Sequence, residues 1–210
     1  MLHSAGRFLL FLSVVLTSCA TVRPSPRNLS GIAAKVQAPG YSGSAFKYRG
    51  RIVTAGHVCE YHVENDLPPF QLYYVKDGKE HFGGYFVPDT FIMSGAQDAC
   101  LLMSTGAPVY LPLEDLQPAP TPRLGDAVSV LGAPYGHTLF RTDGYVAAMN
   151  LMGYIGVSAS SAPGNSGGPV VDSKGRLIGL LTAGMPIYEH ISLVTPRSVL
   201  DELFNVETSD

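Results

Sequence analysis

With 210 residues, 46% of them hydrophobic and 15% charged, the chain has the length for one domain or two small packed lobes, and enough apolar content to build a core. A formal net charge of -3 offers no basic patch for nucleic acid. The 23 glycines and 16 prolines, frequent Val, Tyr and Phe, and scarcity of long amphipathic patterns indicate a mostly β chain with many turns.

Met1 to Arg7 carries one fixed positive charge, and Phe8 to Leu16 is an apolar run. The run is short for a membrane-spanning helix and suits the core of a signal peptide. It ends in Leu16-Thr17-Ser18-Cys19, which resembles the lipobox of bacterial lipoproteins. There a cysteine after small residues is lipidated and becomes the new N-terminus. An ordinary secretory signal and a short uncleaved anchor are the other two readings. Thr21 to Ser30, with Pro24 and Pro26, reads as a flexible tether. The expected layout is therefore a signal peptide with lipobox over 1–19 and a tether over 20–30. If Cys19 is acylated, Cys59 and Cys100 remain as an even pair. They either bridge in an oxidising compartment or stay as two separate buried thiols. The expected location is the bacterial cell envelope, lipid-anchored, in the periplasm or at the cell surface.

From Gly31 onward the pattern changes to short strand-like runs. Ile32 to Val36 is the first. Gly43 to Val58 reads as strand, polar turn (Tyr48 to Arg51) and strand, with the second strand running straight into His57. Leu72 to Val75, His81 to Val87 and Phe91 to Met93 read as further strands. Gly106 to Gly125, with five prolines, reads as a connector. Arg197 to Phe204 is apolar at Val199, Leu200 and Leu203, which suits one closing helix. Ala162-Pro163-Gly164-Asn165-Ser166-Gly167-Gly168-Pro169 sets a serine among residues that permit a tight turn. Such a loop can present a hydroxyl nucleophile beside convergent backbone N–H donors, the requirement of acyl transfer.

Three segments together carry a resemblance. Thr54-Ala55-Gly56-His57-Val58 is similar to the histidine motif of the chymotrypsin-like (trypsin-fold) serine peptidases. Asp98-Ala99-Cys100-Leu101-Leu102 matches the aspartate that leads into an apolar strand in that family, and Ser166 follows in the family's chain order. Leu124 to Gly136, Thr142 to Val146, Leu177 to Gly184 and Ile191 to Pro196 resemble the bacterial HtrA/Deg-type members, here without a PDZ-like segment. The resemblance implies an all-β fold of two packed antiparallel β-barrels with a short C-terminal helix. The N-terminal barrel would span 31–110, a connector 111–124, and the C-terminal barrel with its helix 125–210.

The resemblance also implies roles. Ser166 is the nucleophile, His57 the general base and then acid, and Asp98 the residue that orients His57. The N–H groups of Gly164 and Ser166 would form the oxyanion hole. Ser160, Leu181, Thr182, Ala183 and Gly184 would bind substrate, with an extended peptide added as a strand. Two departures matter. Asn165 stands where animal digestive members carry an aspartate that pairs with a new N-terminal ammonium, so no activation of that kind is expected. Ser160 stands where the trypsin-type specificity acid would be, so small or medium apolar P1 residues are expected, not Lys or Arg. His190 is either a surface residue or a pocket residue that favours an acidic P1.

No metal or phosphate motif stands out, and the triad chemistry needs no cofactor. The expected partners are a protein or peptide substrate and a membrane reached through the lipid anchor, with no nucleic acid and with oligomerisation possible. The main expectation is an exported, lipid-anchored serine endopeptidase. The alternatives are a catalytically weak binder of peptides or envelope proteins, and a processing protease with one substrate.

Overall fold

Short polar turns decide where the strands of this chain reverse. Between Tyr48 and Arg51 the backbone takes φ of 48° at Arg49 and 79° at Gly50. Two successive left-handed residues match the twist of antiparallel strands. The structure, a computed structural model, describes residues 31–106, 109–185, 188 and 190–207. The leader with Cys19 and the tether up to residue 30 lie outside the described residues. Among the described residues no helix is long and apolar enough to cross a membrane.

The first half contains β1 (Ala34–Ala38), β2 (Tyr41–Tyr48), β3 (Arg51–Thr54), helix α1 (Gly56–Glu64), β4 (Phe70–Lys76), β5 (Lys79–Ser94) and β6 (Gln97–Ser104). Its strands pair antiparallel in the order β1-β2-β3-β6-β5-β4, and β4 pairs back onto β1. The second half contains β7 (Ala127–Gly132), β8 (Phe140–Leu151), β9 (Tyr154–Val157), β10 (Pro169–Asp172), β11 (Leu177–Gly184), β12 (Ser192–Pro196) and helix α2 (Arg197–Glu207). Here the order is β10-β11-β12-β9-β8-β7, and β7 closes the barrel on β10. The stretch between the halves is pinned to both: Leu116 N–H donates to the Lys47 carbonyl and Ala119 N–H to that of Leu177.

The expected architecture, an all-β pair of packed barrels with one closing helix, needs correction on two points. Among the described residues there are two α-helices. β3 stops at Thr54, and His57 lies in the first turn of α1, not at the end of a strand. No side chain caps the N-terminus of α1. Tertiary packing makes this helix, because Val58, Cys59 and His62 are buried and the His62 ring lies 4.4 Å from that of Phe70.

The second point concerns the core, which is not divided between two barrels. One apolar cluster joins first-half residues such as Phe46 and Leu101 to Leu131, Val171, Leu177 and Leu180 of the second half. Leu200, Leu203 and Phe204 of α2 belong to the same cluster. The last helix thus seals the first half: Phe204 meets the Tyr48 ring edge-on at 5.8 Å, and Tyr48 OH donates to Asp201 at 2.9 Å. A smaller cluster, with Val146, Val157 and Ile178, fills the second barrel. The shared apolar core fixes the halves against each other.

Candidate active site

His57 and Asp98 come from neighbouring elements of the first half. The His57 N–H donates to Asp98 Oδ1 at 2.8 Å, and His57 Nδ1 lies 2.9 Å from Asp98 Oδ2. Both carboxylate oxygens therefore serve one residue. The Asp98 side chain is 4% exposed, that of His57 30%. A buried carboxylate facing Nδ1 holds the proton on that nitrogen, which leaves Nε2 as the basic face of the ring. Cys59 and Cys100, each two residues beyond a member of this pair, are joined by a disulfide with S–S 2.03 Å and Cα–Cα 6.4 Å.

Ser166 sits on the loop that enters β10. Asn165 N–H donates to the Ala162 carbonyl at 3.0 Å, and Gly164 has φ of 95°. That is a type II turn, with Pro163 and Gly164 in the two central places such a turn prefers. A Cβ at Gly164 would collide with the Ala133 carbonyl oxygen, so the position requires glycine on two counts. The Pro163 carbonyl accepts from Tyr135 N–H at 2.6 Å, and the Gly164 carbonyl from Ser44 Oγ at 2.8 Å. In a trans peptide the N–H points opposite to the carbonyl, so the Gly164 N–H faces away from Tyr135. Among the described residues neither the Gly164 N–H nor the Ser166 N–H has an acceptor. These are the two donors expected to form an oxyanion hole.

The Ser166 hydroxyl donates to the Thr182 carbonyl at 3.0 Å. His57, Asp98, Gly164 and Ser166 line one cleft of about 1000 Å³. Leu181, Thr182, Ala183 and Gly184 form part of its wall. Ser160 does not line this cleft. It borders an adjoining hollow of about 370 Å³ together with His190 and Ser192, and Ser161 and Gly184 belong to both.

Among the described residues the lining carries no ionisable side chain apart from His57, Asp98 and tyrosines. The Tyr41 hydroxyl is pushed up to about 12 by burial, with the charge of Asp98 and then Tyr61 adding to it. Burial and then Asp98 also raise Tyr154, whose hydroxyl donates to the Gly95 carbonyl at 2.5 Å. Both hydroxyls are thereby kept protonated at neutral pH. The Asn165 side chain is buried beside Gly132, and its Oδ1 has no hydrogen-bond partner. No group of three or more His, Cys, Asp or Glu among the described residues is placed to hold a metal ion.

Two residues of the site were missed by the sequence reading. Ser44 and Tyr135 hold the carbonyls of the turn, one through its hydroxyl and the other through its backbone. Backbone donors leave no trace in sequence. A serine inside an otherwise buried strand is a faint signal, since buried hydroxyls need partners.

Comparison with known proteins agrees with this geometry. A family model described as "Trypsin-like peptidase domain" matches residues 41–180. Protease Do-like 2, chloroplastic, of Arabidopsis thaliana is 27% identical over 175 residues, covering 76% of this chain and 27% of that protein. An uncharacterized protein y4bJ of Sinorhizobium fredii is 44% identical over 69 residues, 29% of this chain and 11% of its own length. The chain thus spans about a quarter or less of these curated relatives. A serine endoprotease from Yersinia pestis superimposes with a TM-score of 0.69 at 23% identity, covering 88% of this chain and 65% of that one. The active form of the Rv3671c protease from M. tuberculosis gives 0.66 at 17% identity, covering 98% and 93%. At these identities the solved structures speak for the fold.

Proposed function

The chain belongs to the family of trypsin-like peptidase domains and is related to the HtrA/Deg-type proteases, and from that membership we propose that it is a serine endopeptidase acting through Ser166, His57 and Asp98. The observation that carries the reading is the convergence at one cleft of three things: the doubly bonded His57–Asp98 pair, the Ser166 hydroxyl, and two backbone N–H groups without acceptors. Ser166 Oγ attacks the scissile carbonyl carbon while His57 Nε2 takes its proton. The resulting oxyanion is held by the N–H groups of Gly164 and Ser166. His57 returns the proton to the leaving amine as the C–N bond breaks. Water then repeats the sequence on the acyl-enzyme, and Asp98 stabilises the imidazolium at each stage without taking its proton.

The substrate lies as an extended strand along residues 182–184, where Ala183 and Gly184 are exposed. A cleft whose described lining has no Lys, no Arg and no acid beyond Asp98 favours small or medium apolar P1 residues over basic ones. We extend the proposal to export and lipid anchoring at Cys19, on the strength of the leader sequence. Labelling cells with an alkyne fatty acid tests it: the label and the membrane association should both disappear in Cys19→Ala.

One observation favours a catalytically weak binding module. The Ser166 hydroxyl is bonded to Thr182, not to His57. Reaction of the full chain with a fluorophosphonate probe separates the readings. A peptidase labels, and both Ser166→Ala and His57→Ala abolish the labelling. A folded protein that does not label is either a closed, activator-dependent site or a binding module.

A further inference from the structure

We propose that Ser44 is a positioning residue for the oxyanion hole, a first-half clamp that holds the nucleophile turn of the second half in its reactive shape. The proposal rests on the peptidase reading above. Ser44 is fully buried in β2, and every polar group it has is used. Its Oγ donates to the Gly164 carbonyl at 2.8 Å and accepts from the Ala133 N–H at 2.9 Å. Its N–H donates to the Ser166 carbonyl at 2.8 Å, and its carbonyl accepts from Thr54 Oγ1 at 2.7 Å.

Ser44 therefore grips the carbonyls of Gly164 and Ser166, the two residues whose N–H groups are the oxyanion donors. A glycine turn is the piece of backbone most free to rotate. The Gly164–Asn165 peptide is fixed at one end by the Asn165 N–H on Ala162 and at its carbonyl by Ser44. Without the hydroxyl, the Gly164 carbonyl and the Ala133 N–H become buried groups lacking partners, which is costly. The least costly relief is rotation of that peptide, which breaks the Asn165–Ala162 bond that closes the turn, and an opened turn no longer aims the N–H of the neighbouring Pro163–Gly164 peptide at the reacting oxygen. The His57-bearing half thus sets the geometry of the Ser166-bearing half through one hydroxyl.

The test is the rate of fluorophosphonate labelling of the full chain, resolved into its limiting rate and its half-saturating concentration. The phosphonyl oxygen occupies the oxyanion position, so this rate reads the hole directly. Ser44→Ala should lower the limiting rate about ten- to a hundredfold, up to the lower end of the loss on removing a whole donor. The half-saturating concentration should change by less than about threefold. Ser129→Ala is the matched control, because Ser129 is a buried hydroxyl bonded to Asp143, away from the cleft. It should lose stability like Ser44→Ala yet label at the wild-type rate.

Ser44→Ala labelling within about threefold of wild type, below its melting midpoint, would overturn the proposal. If Ser44→Ala does not fold, Ser44→Thr decides. It keeps the hydroxyl, so a folded variant near the wild-type rate supports the clamp, and one as slow as expected for the alanine refutes it. Wild type that fails to label removes the reading of a constitutively active peptidase and this proposal with it. Wild type that labels beside an unaffected Ser44→Ala removes this proposal alone.

Discussion

Asn165→Asp exchanges the amide nitrogen of a buried side chain for oxygen and adds a charge, so its effect can be worked from the site. Asn165 is 5% exposed, and its Oδ1 already lacks a hydrogen-bond partner. A carboxylate there has lost its water and gained no donor, so the folded state holds it protonated. Keeping an acid of ordinary pKa about 3.9 protonated at pH 7 costs about 1.36 kcal/mol per pH unit, or about 4 kcal/mol in all. That is an upper bound, since above it the group would rather ionise. The sign follows from proton counting. The folded variant binds a proton that the unfolded chain has released, so its stability relative to wild type falls as pH rises from 4 to 7. Urea unfolding at pH 7, 5.5 and 4 should show a deficit that shrinks to near zero at pH 4. At pH 7 the deficit corresponds to about 8–16 °C in Tm for a chain of this size. A deficit independent of pH, or a variant as stable as wild type at pH 7, would refute the reasoning. The second result would mean that a cation reaches the carboxylate, as the N-terminal ammonium does in activated digestive relatives.

Other perturbations have equally definite outcomes. Asp98→Asn turns an amide donor or a weaker acceptor toward His57 Nδ1 and should lower kcat by about four powers of ten with little change in KM, measured on a peptide or ester substrate. Gly164→Ala puts a Cβ against the Ala133 carbonyl at a residue with φ of 95°, and should lower the labelling rate about a hundred- to a thousandfold while the fold survives. Burial works against the Asp172 carboxylate, but bonds from the Arg176 backbone and side chain and from the Lys174 N–H hold it below the usual range. Its stabilisation is complete above the ordinary pKa and is lost as pH falls through the lower, folded value. Asp172→Asn should therefore cost about 1 kcal/mol at pH 7, a figure tempered by its partial exposure, and nothing near pH 2 by thermal melts.

What the sequence displayed and what it hid have physical causes. The β2–β3 hairpin was legible because Arg49 and Gly50 interrupt two apolar runs at a two-residue turn. The nucleophile turn was legible because Pro163 and Gly164 each suit one place in it. Helix α1 was not, since Gly56 to Glu64 has no capping side chain and its helicity comes from burial against β5 and β6 and from the disulfide. β5 was read as two pieces, His81 to Val87 and Phe91 to Met93, with Pro88 between them. The strand in fact runs on through Pro88, with irregularities opposite Leu72/Tyr73 of β4 and between Pro88 and Phe91. The resemblance placed Ser160 with the substrate wall, and the tertiary path sets it in the hollow that shares Ser161 and Gly184 with the cleft.

The disulfide between Cys59 and Cys100 closes a loop of 41 residues that runs from the base to the acid which orients it. By chain entropy a loop of that length is worth about 4 kcal/mol to the folded state. Its placement makes the effect local as well as global, since thiol reduction loosens the frame of His57 and Asp98 and leaves the Ser166 turn, with its own ties to Ser44 and Tyr135, in place. A reduced molecule would keep its nucleophile turn beside a loosened base and a loosened wall of the cleft. If the peptidase reading holds, a preparation made in a reducing cytosol and one matured under oxidising conditions would be, kinetically, two different proteins with one sequence.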